Sequence, residues 1–173
     1  MTQQLEYDAL VQFKLLHTGS ALPVRGTSHS GAFDIVSPTS GHVRSGKTLL
    51  FGLGIAHQIH DDNLFLPVQS HAADGTWKQI NVPFRLQGIL IPRSGLAAKK
   101  KVRMFFAPCL IDHDYRGEIH AMIENMGDKV LRWEAGDRIC QIAYLPAYMG
   151  PIMEVFNLSE TDRGSGGFGS TGA

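Results

Sequence analysis

Apolar and polar positions alternate along much of this chain in short bursts broken by turn residues. "GEIHAMIEN" (117–125) sets Ile119, Ala121 and Ile123 on one face. "RICQIAYLP" (138–146) sets Ile139, Gln141 and Ala143 opposite Cys140, Ile142 and Tyr144. "YDALVQFKLL" alternates more loosely, and "GAFDIVS" and "KTLLFGLGIA" are apolar runs punctuated by glycine. Period-two patterning with frequent turn signals predicts an all-β sandwich or barrel. The best helix candidate is "RSGLAAKKKV", short and basic toward its end. Residues 57 to 87 read as a long hairpin insert: Leu64, Leu66 and Val68 alternate, Asp74-Gly75 supplies a turn, and Trp77, Gln79 and Asn81 return.

Composition narrows the class. With 173 residues, 43% of them hydrophobic, the chain suits one globular domain with a real core. Sixteen basic side chains balance 16 acidic ones, which argues against a nucleic-acid surface. Cys109 and Cys140 sit in apolar runs without metal-ligand spacing, as in a reducing, cytoplasmic setting. No basic stretch precedes a long apolar run at the N-terminus, and no apolar run is long enough to cross a bilayer.

Several strings invite chemistry. "GHVRSGKT" (41–48) satisfies the P-loop pattern, but a P-loop opens a helix. Gly52 and Gly54 fall where that helix interior would lie, each costing about 1 kcal/mol against Ala. The expectation is a hairpin turn at Ser45-Gly46-Lys47 leading into a strand. His57 and His60 in "HQIHDD" have no further ligands nearby and read as solvated loop histidines. "IPRSGLAAK" (91–99) places Ser94 and free backbone N–H groups at the start of a short helix beside Arg93. That is an anion site or simply a helix N-cap. "LIDHDYRGEI" (110–119) clusters Asp112, Asp114, Tyr115 and Arg116 on a turn, and "GDRICQIAY" (136–144) projects Gln141 from a strand. The terminal "RGSGGFGSTGA" (163–173) contains the string G-x-G-x-x-G, but too few residues follow it to build the helix that a dinucleotide fold requires.

Taken in order, "SGAFDIVSP", "PRSGLAA", "LIDHDYRGEI", "GDRICQIAY" and "RGSGGFGSTG" resemble the five motifs of the trimeric dUTP pyrophosphatases, the dUTPases. The resemblance runs over about residues 22 to 172, interrupted by the hairpin. It implies a jelly-roll-like (β-clip) fold with one short helix. It also implies a homotrimer in which one subunit supplies motifs one, two and four, a second the uracil hairpin and a third the C-terminal arm. Residues 1–160 would form the β domain and 161–173 the mobile arm swapped between subunits.

The implied activity is hydrolysis of dUTP to dUMP and pyrophosphate. By this likeness Asp112 activates the water that attacks the α-phosphorus, and Arg93, Ser94, Gly95 and Gln141 hold phosphate oxygens. Leu110, Ile111 and the strand near His120 read the uracil edge, and Tyr115 packs on the deoxyribose. Phe168 stacks on uracil, while Arg163, Gly169, Ser170 and Thr171 wrap the β- and γ-phosphates. Mg2+ rides on the triphosphate and ordered waters, with Asp34 near those waters and no direct protein ligand. Phe106 and Cys109 depart from the family pattern, which has a polar residue and a glycine there. The implied location is the cytoplasm, or a host's cytoplasm if the source is viral or phage. The alternative is a non-catalytic nucleotide-binding or regulatory protein on this fold, acting through a protein partner at the hairpin. The related dCTP deaminases share the fold, but their Glu-centred motif is missing from "LIDHDYRG".

Overall fold

The computed structural model describes residues 10–60, 64–71 and 74–167. Its strands are β1 (Val11–Leu15), β2 (Val24–Arg25), β3 (Phe33–Val36), β4 (Gly41–Val43), β5 (Thr48–Gly52), β6 (Ile55–Ile59), β7 (Phe65–His71) and β8 (Trp77–Pro92). After the helix α1 (Ser94–Lys100) come β9 (Val102–Met104), β10 (Cys109–Ile111), β11 (His120–Asn125), β12 (Leu131–Trp133) and β13 (Arg138–Tyr148). Every pairing is antiparallel. The largest sheet runs β10-β8-β13-β3-β2, with β7 added along the outer half of β8. Smaller sheets are β5-β11-β9, β12-β4 and β1-β6.

The alternating segments behave as antiparallel strands with one wet face should. Ile119, Ala121 and Ile123 are fully buried, and they meet Ile35, Leu90 and Ile142 of the largest sheet and Trp133 of β12 in one core. Along β13 the alternation slips once. A register shift between Arg138 and Cys140 lets both Ile139 and Cys140 face inward, after which Gln141 returns to the outer face.

Helix α1 is short because only one and a half turns of good helix formers separate Pro92 from Lys101. Lys101 ends it in the left-handed conformation (φ 53°), with Lys99 and Lys100 at the negative end of the dipole. The first helical residue is Ser94, so the N-cap position belongs to Arg93, whose side chain makes no cap. The simple Ser94 cap read from sequence is therefore corrected: the Arg93 guanidinium turns away to a buried carboxylate.

Three further expectations change. The turn before β5 forms, with Lys47 N–H donating to Arg44 C=O and Gly46 at φ 66°. It is no hairpin, however, since β4 pairs with β12 and β5 with β11. The hairpin insert is less separable than it reads, because its second strand is continuous with the core. β8 spans 16 residues, outer half on β7 and inner half between β13 and β10. And residues 57–59 belong to β6, where His57 is buried rather than solvated.

Candidate functional site

Two clusters of the expected residues stand on the largest sheet. The first is built on a cross-strand triplet: Gln141 of β13 lies opposite Asp34 of β3 on one side and Ile91 of β8 on the other. Asp34 is buried, and its carboxylate is fully engaged. Oδ1 accepts from Arg93 Nε at 2.9 Å and from Gln141 Nε2 at 3.0 Å, and Oδ2 accepts from an Arg138 guanidinium N–H at 3.1 Å. These are charge-assisted bonds that fix two guanidinium groups and one amide on the sheet's outer face. Ser94 and Gly95 follow at once, exposed, in the first turn of α1, where helix geometry leaves N–H groups without internal partners. Arg138 was not anticipated. Its signal was available, since it follows the "GD" turn three residues before Gln141 and so projects from the same strand end.

The second cluster is the turn after β10. Ile111 is buried opposite Gly88, and the chain then turns over Asp112–Gly117 with Tyr115 N–H donating to Asp112 C=O at 3.0 Å. An Arg116 guanidinium N–H donates to His113 C=O at 2.8 Å, and Tyr115 O–H donates to Glu118 C=O at 2.9 Å. Gly117 makes this possible: a Cβ there would sit 2.5 Å from the Tyr115 hydroxyl. Glu118 ties the base of the turn to the β5–β6 corner, accepting from Gly54 N–H at 2.8 Å and pairing with His17 at 3.2 Å. Partial burial opposes its charge, but those two partners outweigh the penalty and hold its carboxyl below the usual glutamate range.

Leu110, Ile111, Asp112, Tyr115 and His120 line one cleft of about 340 Å³ with Phe106 and Cys109. The Asp112 carboxylate is exposed there and engages no hydrogen-bond or ion-pair partner among the described residues. The main chain around it is held from beneath. His57 Nε2 approaches Asp112 C=O at 3.2 Å, His57 Nδ1 lies 2.9 Å from Tyr144 O–H, and His113 N–H donates to Gln87 Oε1 at 2.7 Å. Desolvation lowers the pKa of His57, as do the nearby charges of Arg116 and His113, although its bond to Asp112 C=O opposes the shift. Burial raises the Tyr144 phenol well above its ordinary value. Neither His57 nor Gln87 was singled out from sequence as a site residue. The trace was there for His57, which alternates with Ile55 and Ile59 and so shares their inward face.

The two clusters do not share a cleft. Arg93 and Arg138 line a separate hollow with Leu96, Trp133 and Asp137, and no residue lines both. Arg163 lies in a turn where Gly164 N–H donates to Thr161 C=O and its own Nε to Gly166 C=O at 2.9 Å. Phe168, Gly169, Ser170 and Thr171 lie outside the described residues. Ahead of that turn, Ile152, Met153, Phe156 and Leu158 run along the chain at 82% exposure or more. Among the described residues no group of three or more His, Cys, Asp or Glu is spaced to hold a metal ion. Among the described residues no helix is long and apolar enough to cross a membrane.

The sequence model of the dUTPase family matches residues 61–172. A deoxyuridine 5'-triphosphate nucleotidohydrolase of Nautilia profundicola is 31% identical over 162 residues, covering 94% of this chain and 98% of that one. A protein of the same name from Hydrogenobaculum sp. is 45% identical over 93 residues, 54% of this chain and 65% of its own. Among solved structures, a Staphylococcus bacteriophage 80alpha dUTPase with dUpNHpp superposes with a TM-score of 0.76. It is 21% identical, and the match covers 96% of this chain and 100% of that one.

Proposed function

The chain belongs to the dUTPase family, and from that premise we propose that it is a dUTP diphosphatase that hydrolyses dUTP to dUMP and pyrophosphate in the cytoplasm. The observation that carries this reading is the cleft in which the Asp112 carboxylate, without a partner among the described residues, stands beside Leu110, Ile111, Tyr115 and His120. Asp112 takes the proton of a water whose oxygen attacks the α-phosphorus in line. The bond to the bridging oxygen breaks and pyrophosphate leaves. Arg93, Gln141 and the first N–H groups of α1 hold phosphate oxygens, with Asp34 orienting the first two. Tyr115 covers the sugar where a 2′-hydroxyl would clash, and main-chain groups near Leu110 and His120 meet the uracil edge.

Asp34 is spent on Arg93, Arg138 and Gln141, so it suits an outer role toward solvated Mg2+ rather than direct ligation. When bound on the triphosphate, Mg2+ neutralises charge on the phosphate chain. Two features support a shared, homotrimeric site: the Asp112 cleft and the Arg93 cluster are separate in one chain, and the apolar run 152–158 has no cover in it. Arg163, Phe168, Gly169, Ser170 and Thr171 would then close over a nucleotide bound on neighbouring subunits.

The test is pyrophosphate release from dUTP, dCTP, dTTP and UTP with Mg2+. Hydrolysis of dUTP alone is the expected result, and broad hydrolysis would place the change at Phe106 and Cys109. No hydrolysis by folded protein would overturn the reading in favour of a binding or regulatory protein working through the hairpin.

A further inference from the structure

Beneath the Asp112 turn lies a polar device that the catalytic reading does not use. His57 projects from β6 into the core side, 2% exposed, between Ile55 at 0% and Ile59 at 4%. A polar side chain in such a place costs free energy unless each of its polar atoms is bonded. Both ring nitrogens are. The partner of Nε2 is the Asp112 carbonyl, which can only accept, so Nε2 carries the hydrogen. Nδ1 is then the bare nitrogen and accepts from Tyr144 O–H, delivered by β13. Burial, with Arg116 nearby, pushes the pKa of His57 below the ordinary histidine value against the opposing bond to Asp112 C=O, in keeping with this arrangement. Gln87 makes the matching bond one residue on. It is 7% exposed on β8, and its Oε1 takes His113 N–H at 2.7 Å. Gly88 packs closely beside them, since a Cβ there would lie 3.2 Å from both Ile111 Cβ and Ile142 Cδ1.

We propose that His57 and Gln87 are positioning residues for the hydrolysis, gripping the main chain of Asp112 and His113 so that the Asp112 carboxylate is aimed without being bonded. Tyr144 fixes which nitrogen of His57 does the gripping. The inference rests on the role given above to Asp112. Its physical basis is that a carboxylate held through its own oxygens is a poor base, whereas one held through its backbone keeps both oxygens for water. Reaction rates are steep in such placement, with an error near 1 Å costing on the order of a hundredfold.

The experiment compares wild type with His57→Leu, His57→Gln and Tyr144→Phe. It reads kcat for dUTP, the Kd of non-hydrolysable dUpNHpp, and the imidazole 15N shifts of the unliganded protein at pH 7.5. His57→Leu should lower kcat about tenfold and leave analogue binding within about threefold. His57→Gln, whose amide N–H can reach the same carbonyl, should recover to within about threefold of wild type. Tyr144→Phe, which removes one oxygen and tests the device even where His57→Leu does not fold, should lower kcat about threefold at constant Kd. Wild type should show the His57 ring neutral with hydrogen on Nε2. The proposal fails if His57→Leu turns over like wild type, if His57→Gln is as slow as His57→Leu, or if the rate loss is matched by lost analogue binding. A charged ring or an Nδ1–H tautomer in wild type would also overturn it. Wild type unable to hydrolyse dUTP would sink the functional reading instead, while the 15N shifts would still report whether the grip exists.

Discussion

Asp34 and Asp112 are the same residue in two regions put to opposite uses. Asp34 sits in a strand at 3% exposure with both carboxylate oxygens committed to Arg93, Gln141 and Arg138. Asp112 sits on a turn, where its backbone carbonyl is held by Tyr115 N–H and His57 and its carboxylate is left open. A carboxylate bonded to three donors is an anchor: both of its oxygens are occupied in organising groups that can meet phosphate. An exposed carboxylate with no bonded partner among the described residues, on a fixed backbone, keeps both oxygens open. The lesson is that the partner list of a side chain, rather than its residue type, separates scaffold from chemistry.

The sharpest way to break that comparison is Asp112→Asn. It should lower kcat by about a thousandfold while dUpNHpp binding stays within a few-fold, because the amide keeps the shape and loses the base. Pyrophosphate release and calorimetry measure the two, and turnover within a few-fold of wild type would remove Asp112 from its role. Next in size is complementation. Asp112→Asn and a chain ending at Glu160 should each be nearly inactive, yet mixing them after unfolding and refolding should restore activity to at least about a tenth of wild type if sites are shared. Failure of mixed protein to gain activity would confine the site to one chain.

Gly117→Ala should push the Tyr115 ring off its bond to Glu118 C=O, because the new Cβ would meet the hydroxyl. The selectivity for dUTP over UTP, read as the ratio of kcat/KM values, should fall by about tenfold.

Asp34→Asn should act mainly on the other region. Denaturant unfolding should show about 2 kcal/mol of lost stability, since Arg93 and Arg138 lose their counter-charge but stay partly solvated.

The smallest effect is in pH. The folded state lowers the pKa of His57 below its ordinary 6.5, so the unfolded chain binds more protons between those two values. That contribution to stability is complete above about pH 6.5 and is lost progressively as pH falls below it. Thermal unfolding between pH 7.5 and 5.5 should show the loss, and His57→Gln should flatten it.

How much was legible depended on whether a residue's role is local. The faces of "GEIHAMIEN" and "RICQIAYLP" were readable because period-two alternation forces one face inward whatever the sheet order. The Asp112 turn and the Arg93–Ser94 corner were readable as motifs because their residues are contiguous in the chain. Arg138 was passed over because its use depends on Asp34, 104 residues away in sequence. His57 was misread because a polar residue shortly before Asp61 and Asp62 looks like loop, and only its pairing with β1 and the core packed on its inner face turn that expectation over.

The sequence by itself determined the β class, the short helix after Arg93 and the family to which its motifs belong. It could do so because alternation, turn chemistry and motif spacing are properties of neighbouring residues. Only the tertiary structure decided that Asp34 is an anchor and Asp112 is not, that β8 carries the hairpin straight into the core sheet, and that His57 reaches the Asp112 turn. Each of these is a contact between strands far apart in the chain, set by sheet order and register, which no local pattern of residues encodes.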